Sequence, residues 1–456
     1  MNIVVWVAIP PELSPKPIIQ TVLTATWKRL GRNSLSPKER CGAGPATYDE
    51  NIVMQGLLKL FQKKTPLPGL RDYDPVIRQV EDPDHVVIPL DYPGRVRYLP
   101  TVKAGDVVRK GQVIAKSRLG NCAFATISGT VREINTVWTA QSVHSPAIII
   151  DSNGLEALSP KEIFDGPVGL EDRHEVVDRM RAAGVNPPWT FTGRDYEEGD
   201  IEAIPSVKEI IITGVRQEST MLTSQLLLEQ QADKVAEGLR RISILMPDVR
   251  VWLTVPEHLK DWAAPKLSQL AELVFLPDSY SARIEREVIA RILGRRIPSR
   301  ESYRNYGVAV MDVEYILATV DAMDGISPFM QKCLTISGTT IDRAVTVRFP
   351  MGSSLKHVLA SQGLKVSDFT RPVVGGPMMG FAQYSDLTPL TYNSGVYLIA
   401  GDVAPFDTIA PCIFCGRCTR VCPVNIQVHL VNRKIEFGQL ESAMSLHPDA
   451  CHECGL

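Results

Sequence analysis

Residues 411–424 read PCIFCGRCTRVCPV. Cys412, Cys415, Cys418 and Cys422 stand at C-x2-C-x2-C-x3-C, and Pro423 follows at once. No other stretch constrains the chain as strongly. Three thiolates two residues apart wrap a tight loop around one iron–sulfur cubane, with backbone N–H groups aimed at its sulfurs. The fourth cysteine is turned away and ligates the other cluster of a pair. Zinc sites pair two C-x-x-C knuckles at longer separation, so zinc is the poorer reading. The chain ends CHECGL, which opens the same pattern again at Cys451 and Cys454. One 4Fe–4S cluster would then take Cys412, Cys415 and Cys418, and the other Cys422, Cys451 and Cys454. Each is left with three protein ligands. The expectation is a C-terminally truncated piece of a longer chain, and the rival is a native end with open coordination positions. His452 reads as a solvent-facing spacer.

Nine cysteines in 456 residues is no disulfide scaffold, and six of them fall in the last 45 residues. Cys41, Cys122 and Cys333 stand apart. Such clustering points to metal in a reducing compartment. A net charge of −2 gives no global attraction to nucleic acid. No apolar run reaches the ~18–20 residues that a membrane span needs. The eight histidines show no HxxxH or HExxH spacing. GxSxG, P-loop and intact GxGxxG patterns are absent, which removes the common hydrolase, NTPase and dinucleotide signatures.

The fold class expected is a multidomain α+β chain. Residues 1–85 form an N-terminal extension. Residues 1–53 carry no sustained period, and either they belong to the protein or translation begins at Met54. LLKLFQKK, just after Met54, reads as an exposed basic helix. Residues 86–155 alternate short β runs with glycine turns and look like a barrel-sandwich hybrid domain. Lys116 stands where carriers of that type bear a cofactor, but the tip KSRLGNCAFA lacks their flanking residues, so an unmodified domain is expected. Residues 160–330 alternate helix and strand patterns, as an α/β domain does. Residues 331–400 turn β-rich around one short helix, LKHVLASQGL, and residues 405–456 hold the cysteine module.

The ordered set of GDVVRKGQ and SGTV, the α/β region, VVGGPMMG at 373–380 and PCIFCGRCTRVCP followed by CHECG resembles the C subunit of the Rnf electron-transport complex, the RnfC family. The resemblance covers roughly residues 85–456. It implies an SLBB-like β-grasp domain at 331–400 and a ferredoxin-like module at 405–456. It also implies an α/β domain like the flavoprotein subunit of respiratory complex I, which carries FMN and reacts with NADH. The implied partners are integral membrane and flavoprotein subunits of an Rnf-type complex, and ferredoxin or another electron-donor protein. No nucleic acid is implied. The implied location is peripheral, on the cytoplasmic face of the inner membrane.

The flavin signatures of that family are altered here. The glycine-rich loop GxGGAxFPT reads AAGVNPPWTFTG at 182–193. Gly184 remains, but Asn186, Pro187, Pro188 and Trp189 replace the tight glycines. Proline removes N–H donors, and a phosphate cradle needs glycine backbone that approaches closely. The acidic turn NxxECEP reads TGVRQES at 213–219, where only Glu218 matches and Arg216 reverses a charge. The helix start QNVxT reads MDVEY at 311–315, where Asp312 puts a carboxylate in place of an amide. A degenerate flavin and NADH site follows, with FMN not expected and no catalytic residue assigned.

Three functions compete. The first is an electron-transfer subunit that relays electrons through two 4Fe–4S clusters without NADH or FMN chemistry of its own. The second is an FMN-dependent NADH oxidoreductase, or a cobalamin-reductase-like one. The third is a non-redox docking scaffold. Met378 and Met379 read as packing residues beside a glycine turn.

Overall fold

The computed structural model describes residues 72–91, 97–185, 207–216, 218–339, 341–365, 371–400 and 412–456. Residues 1–53, Met54 and LLKLFQKK lie outside the described residues. After strand β1 (Tyr73–Gln79), residues 85–152 build two small antiparallel sheets. Their strands are β2 (His85–Pro89), β3 (Leu99–Pro100), β4 (Val107–Val108), β5 (Val113–Lys116), β6 (Cys122–Phe124), β7 (Gly129–Trp138) and β8 (His144–Ser152). One sheet runs β2-β8-β7-β4 and the other β3-β5-β6. Alternation along the strands sends Val86, Ile88, Ile114, Val131, Ile148 and Ile150 into one shared core. Lys116 ends β5 with its side chain exposed.

Helices α1 (Pro160–Ile163) and α2 (Arg173–Ala182) lead into the α/β region. Asp172 caps α2, its carboxylate accepting the N–H groups of His174 and Glu175. Next come β9 (Glu209–Thr213), α3 (Thr223–Gln230), α4 (Ala232–Leu245), β10 (Arg250–Pro256), α5 (Lys260–Leu267) and β11 (Glu272–Leu276). The region closes with α6 (Tyr280–Arg283), α7 (Glu285–Leu293), β12 (Val308–Asp312) and α8 (Val313–Met323). The four strands are parallel in the order β11-β10-β9-β12. Every residue of β9 is buried, as expected for a central parallel strand covered on both faces. The chain moves outward from β9 to β11 and then returns to the other side of β9. That reversal makes a switch point between β9 and β12, and in sheets of this kind the crevice at the carboxyl ends of the strands is where ligands sit.

The next sheet joins β13 (Gln331–Gly338), β14 (Ala344–Pro350), β15 (Arg371–Val374), β16 (Phe381–Ala382) and β17 (Gly395–Ile399) around one helix, α9 (Leu355–Ala360). Its order is β1-β14-β13-β17-β15-β16. Strand β1, from a stretch that pattern reading leaves in the N-terminal extension, is the edge strand, paired parallel to β14. Proline at its third position, Pro75, breaks the alternation that marks the other strands. The chain ends in three short helices, α10 (Arg417–Val421), α11 (Val428–Glu436) and α12 (Leu440–Met444). None of the described helices is long and apolar enough to cross a membrane.

Helix α8 holds the switch point in place by packing on α4. The contact is close because residue 238 has no side chain: a Cβ there would overlap Ile316 Cγ2 and come within 3.3 Å of Val320 Cγ2. Both obstacles are β-branched methyls that cannot swing aside. Alanine in a helix gains about 1 kcal/mol over glycine, whereas overpacking costs about 1–3 kcal/mol. Gly238→Ala is therefore expected to be net destabilising despite the better helix former. A lowered urea midpoint with an unchanged m-value would show it; a raised midpoint would mean that the two helices separate without cost.

Candidate functional site

The two C-x-x-C-G segments fold alike. In the first, Phe414 (φ 54°) and Gly416 (φ 69°) are left-handed; in the second, Glu453 (φ 51°) and Gly455 (φ 75°) occupy the same two places. For an aromatic or a glutamate this conformation costs on the order of 1–3 kcal/mol and persists only where the surroundings demand it. What it achieves is visible at the sulfurs. Glu453 N–H donates to Cys451 Sγ at 3.3 Å. Past Pro423, left-handed Asn425 (φ 56°) turns the chain so that Ile426 N–H donates to Cys422 Sγ at 3.4 Å. Backbone donors aimed at sulfur favour thiolate and tune a cluster. Cys418 lies on α10, whose end is closed by Cys422 N–H donating to the Cys418 carbonyl at 3.2 Å.

Cys422 and Cys451 lie near enough to Cys454 to act on it electrostatically. The Cys454 thiol is pushed up by burial first and then by Cys422 and Cys451 beside it. Cys412 and Cys415 are exposed. His429, which the spacing of the histidines did not single out, lies with Nδ1 3.7 Å from Cys418 Sγ and 3.3 Å from Thr419 Oγ1. Among the described residues, no three His, Cys, Asp or Glu side chains stand close enough to hold a metal ion. The residue types are those that ligate iron–sulfur clusters, but their side chains are not gathered around one position here.

The second turn is seated on the α/β domain. Tyr280 Oη donates to the Cys454 carbonyl at 2.6 Å, and Cys454 packs with Tyr280, Ile284, Met378 and Leu456. Ser299 Oγ donates to the Ala450 carbonyl at 2.7 Å, and Arg296 Nη2 to the Pro423 carbonyl at 3.2 Å. His452 is not the solvent-facing spacer that the sequence indicates. Its side chain is 4% exposed, with Nδ1 3.4 Å from Glu287 Oε1. Burial, helped by Arg296 and Arg286, pulls it down to about 4, so it is neutral at pH 7 and the contact is not an ion pair. Local spacing could not reveal this, because the partner residues lie far away in the chain.

The loops after β9 and β12 frame the switch-point crevice. Asp312 caps α8: its Oδ1 accepts the Tyr315 N–H at 3.0 Å. Lys332, 2% exposed, pairs with Glu314 and lies 3.5 Å from Asp312. Burial alone would lower the Lys332 ammonium, but the Asp312 and Glu314 carboxylates outweigh it and hold it high. The helix end that would face a phosphate is thus supplied with the chain's own carboxylate. After β9, Glu218 Oε1 accepts the N–H groups of Met378 at 3.2 Å and Met379 at 2.7 Å. Arg216 binds Asp278 at 2.8 Å, as does Arg283 at 2.9 Å. Buried polar atoms without a hydrogen-bond partner collect in this region: Arg216 Nε, Glu218 Oε2, Ser219 Oγ, Thr220 Oγ1 and Arg283 Nη2. Gly184 packs on the Cys122 carbonyl and Phe124 of the β domain. Asn186, Pro187, Pro188 and Trp189 lie outside the described residues.

The architecture defines a multidomain α+β protein in which a paired-sheet β domain, a doubly wound α/β domain and a mixed sheet precede a module of cysteine turns. Residues 72–155 match the RnfC barrel sandwich hybrid domain. The C subunit of the ion-translocating oxidoreductase complex of Pseudomonas aeruginosa is 29% identical over 386 residues, 80% of this chain and 49% of that protein. The C subunit of the Na+-translocating ferredoxin:NAD+ oxidoreductase complex of Acetobacterium woodii is 25% identical over 353 residues, 76% of this chain and 80% of that one. The corresponding C subunit of the ion-translocating oxidoreductase complex of Rhodobacter capsulatus is 25% identical over 355 residues, covering 75% and 68%. The chain is similar to these C subunits over 75–80% of its length, and its residues 72–155 match the RnfC domain. It spans about half the length of the Pseudomonas protein.

Removing one member of the Lys332–Glu314 pair should cost more than removing both. Lys332→Met strands a buried carboxylate and is expected to lower stability by about 3–5 kcal/mol. Adding Glu314→Leu should recover a large part of that loss. Urea unfolding of both single variants and the double measures it, and a double-variant loss equal to the sum of the two single losses would mean that the pair is not coupled.

Proposed function

We propose that the chain is an electron-transfer subunit of an Rnf-type oxidoreductase complex, passing electrons through iron–sulfur clusters held by its C-terminal cysteines. Cys412, Cys415 and Cys418 would hold one cluster, and Cys422, Cys451 and Cys454 the other. The observation that carries this reading is the repeated left-handed C-x-x-C-G turn, with backbone N–H groups directed at Cys422 and Cys451. The cluster supplies reversible one-electron chemistry, and the chain supplies thiolates, N–H donors and burial. The scaffold reading gives no reason for strained turns around sulfur.

We infer further that the chain does no NADH or FMN chemistry of its own. The carboxylate cap on α8 and the use of Glu218 as an acceptor for a neighbouring loop support this. A second reading, an FMN-dependent NADH oxidoreductase, is favoured by the unpartnered buried polar atoms around Arg216 and Glu218. The five strands that residues 331–400 give to the six-stranded sheet would serve as an SLBB-like docking domain. Membrane subunits, a flavoprotein subunit and a ferredoxin-type donor would be its partners, at the cytoplasmic face of the membrane.

Anaerobic reconstitution followed by visible spectroscopy separates the readings. Dithionite is expected to bleach the broad cluster absorption, and NADH to leave it unchanged. Bleaching by NADH would establish a working flavin and nucleotide site and overturn the relay reading. Absence of the band would remove the relay function from these 456 residues. Cys415→Ser and Cys451→Ser should each reduce bound iron, and together they should reduce it further.

A further inference from the structure

We propose that the cavity between α8, the α3–α4 corner and the β13–β14 pair binds a small monocarboxylate with an apolar body, its carboxylate held by Arg348. Among the described residues, none from the cysteine turns or from the loop after β9 lines it. The site therefore goes beyond the relay function proposed above and does not rest on it.

The cavity has a volume of about 290 Å³, at the small end for ligand sites, and lies where three parts of the chain meet. Lys110 comes from the β domain, Leu227 and Lys234 from the α/β domain, and Gln331 and Arg348 from the mixed sheet. Along α8 the wall runs from Glu314 through Leu317 and Ala318 to Asp321, one face at helical spacing. Leu227, Leu317, Ala318 and Phe329 are buried residues that make the lining apolar there. Arg348 reaches the cavity by register. It stands opposite Cys333 across β13 and β14, and cross-strand partners share a face. Gln331, two residues before Cys333, lies on that face too and also lines the cavity.

The charges around the cavity cancel in pairs until one remains. Lys110 Nζ binds Asp82 at 2.7 Å, Lys234 Nζ binds Asp321 at 2.6 Å, and Glu314 is taken by Lys332. Half-buried Arg348 has the Cys333 thiol as its side-chain hydrogen-bond partner, and among the described residues the Glu314 and Asp321 carboxylates act on it only through space. That thiol carries no charge at pH 7, because burial first and Glu314 next push it up to about 12. A guanidinium with one neutral partner keeps donors of its fork for an anion, and a carboxylate matches the fork with two parallel hydrogen bonds. One uncompensated positive charge suits one negative charge. A phosphate dianion would bring a second one up against Glu314 and Asp321. The apolar wall sets the rest of the class: a ring or branched chain would displace water from Leu227, Leu317 and Phe329.

The test uses para-fluorobenzoate, titrated into the full chain and followed by its fluorine magnetic resonance, beside the neutral para-fluorobenzyl alcohol. Saturable binding of the acid is expected, with the alcohol at least about tenfold weaker, the difference that hydrogen bonds to a charged group make. Arg348→Met keeps most of the volume and loses the fork, and should weaken the acid at least about tenfold while leaving the alcohol unchanged. Ala318→Leu fills the apolar wall and should weaken both. Inorganic phosphate at equal concentration should not displace the acid. Absence of saturable binding overturns the proposal, and so does equal binding of acid and alcohol or unchanged binding in Arg348→Met. Displacement by phosphate would make this a general anion site and overturn the monocarboxylate assignment. The comparison of acid with alcohol is made on the unaltered protein, so it decides even where a variant fails to fold.

Discussion

A buried lysine ties the α/β domain to the sheet that follows it. Lys332 opens β13, yet its ammonium lies among Glu314 and Asp312 at the start of α8, with the Tyr315 and Phe329 rings 5.6 and 5.9 Å from it. Glu314 also accepts the Cys333 N–H at 2.6 Å. Three groups that would each be costly to bury alone satisfy one another. The end of β12, the first turn of α8 and the start of β13 are thereby fixed as a unit, and the crevice at the strand ends inherits its shape from that knot. The same arrangement sets the Asp312 carboxylate at the N-terminus of α8.

The cysteine turns and the α/β core follow different physics. The core is non-directional: Ile210, Ile212, Leu253 and Ile316 are buried because they are apolar and recur at the right period. The turns are directional, and they hold residues such as Phe414 and Glu453 in conformations that their side chains disfavour. Where the two meet, at Tyr280 and Cys454, one phenol supplies both kinds of contact, with its ring in the apolar cluster and its hydroxyl on a carbonyl.

Sequence periodicity made the β9 strand and the long helices legible, because burial on a helix or strand leaves a pattern in consecutive residues. The turn at Cys412 to Cys422 was legible for the same reason: a tight loop is a local object. The interactions missed all join distant segments. Glu218 meets Met379 across 161 positions and Tyr280 meets Cys454 across 174, and no window of consecutive residues holds both partners. His452 fails as a spacer for that reason, and β1 fails to stand out because an edge strand with Pro75 needs only one neighbour.

The six C-terminal cysteines are unevenly sheltered. Cys412, Cys415 and Cys451 are exposed and Cys418 and Cys422 half-buried, whereas Cys454 is 7% exposed behind Tyr280 and Met378. Oxidants and alkylating reagents in solution therefore reach Cys412, Cys415 and Cys451 first. The first turn wears away before Cys454 is touched, so damage has a polarity. The same polarity leaves the module with one exposed turn and one turn fastened to the body of the protein.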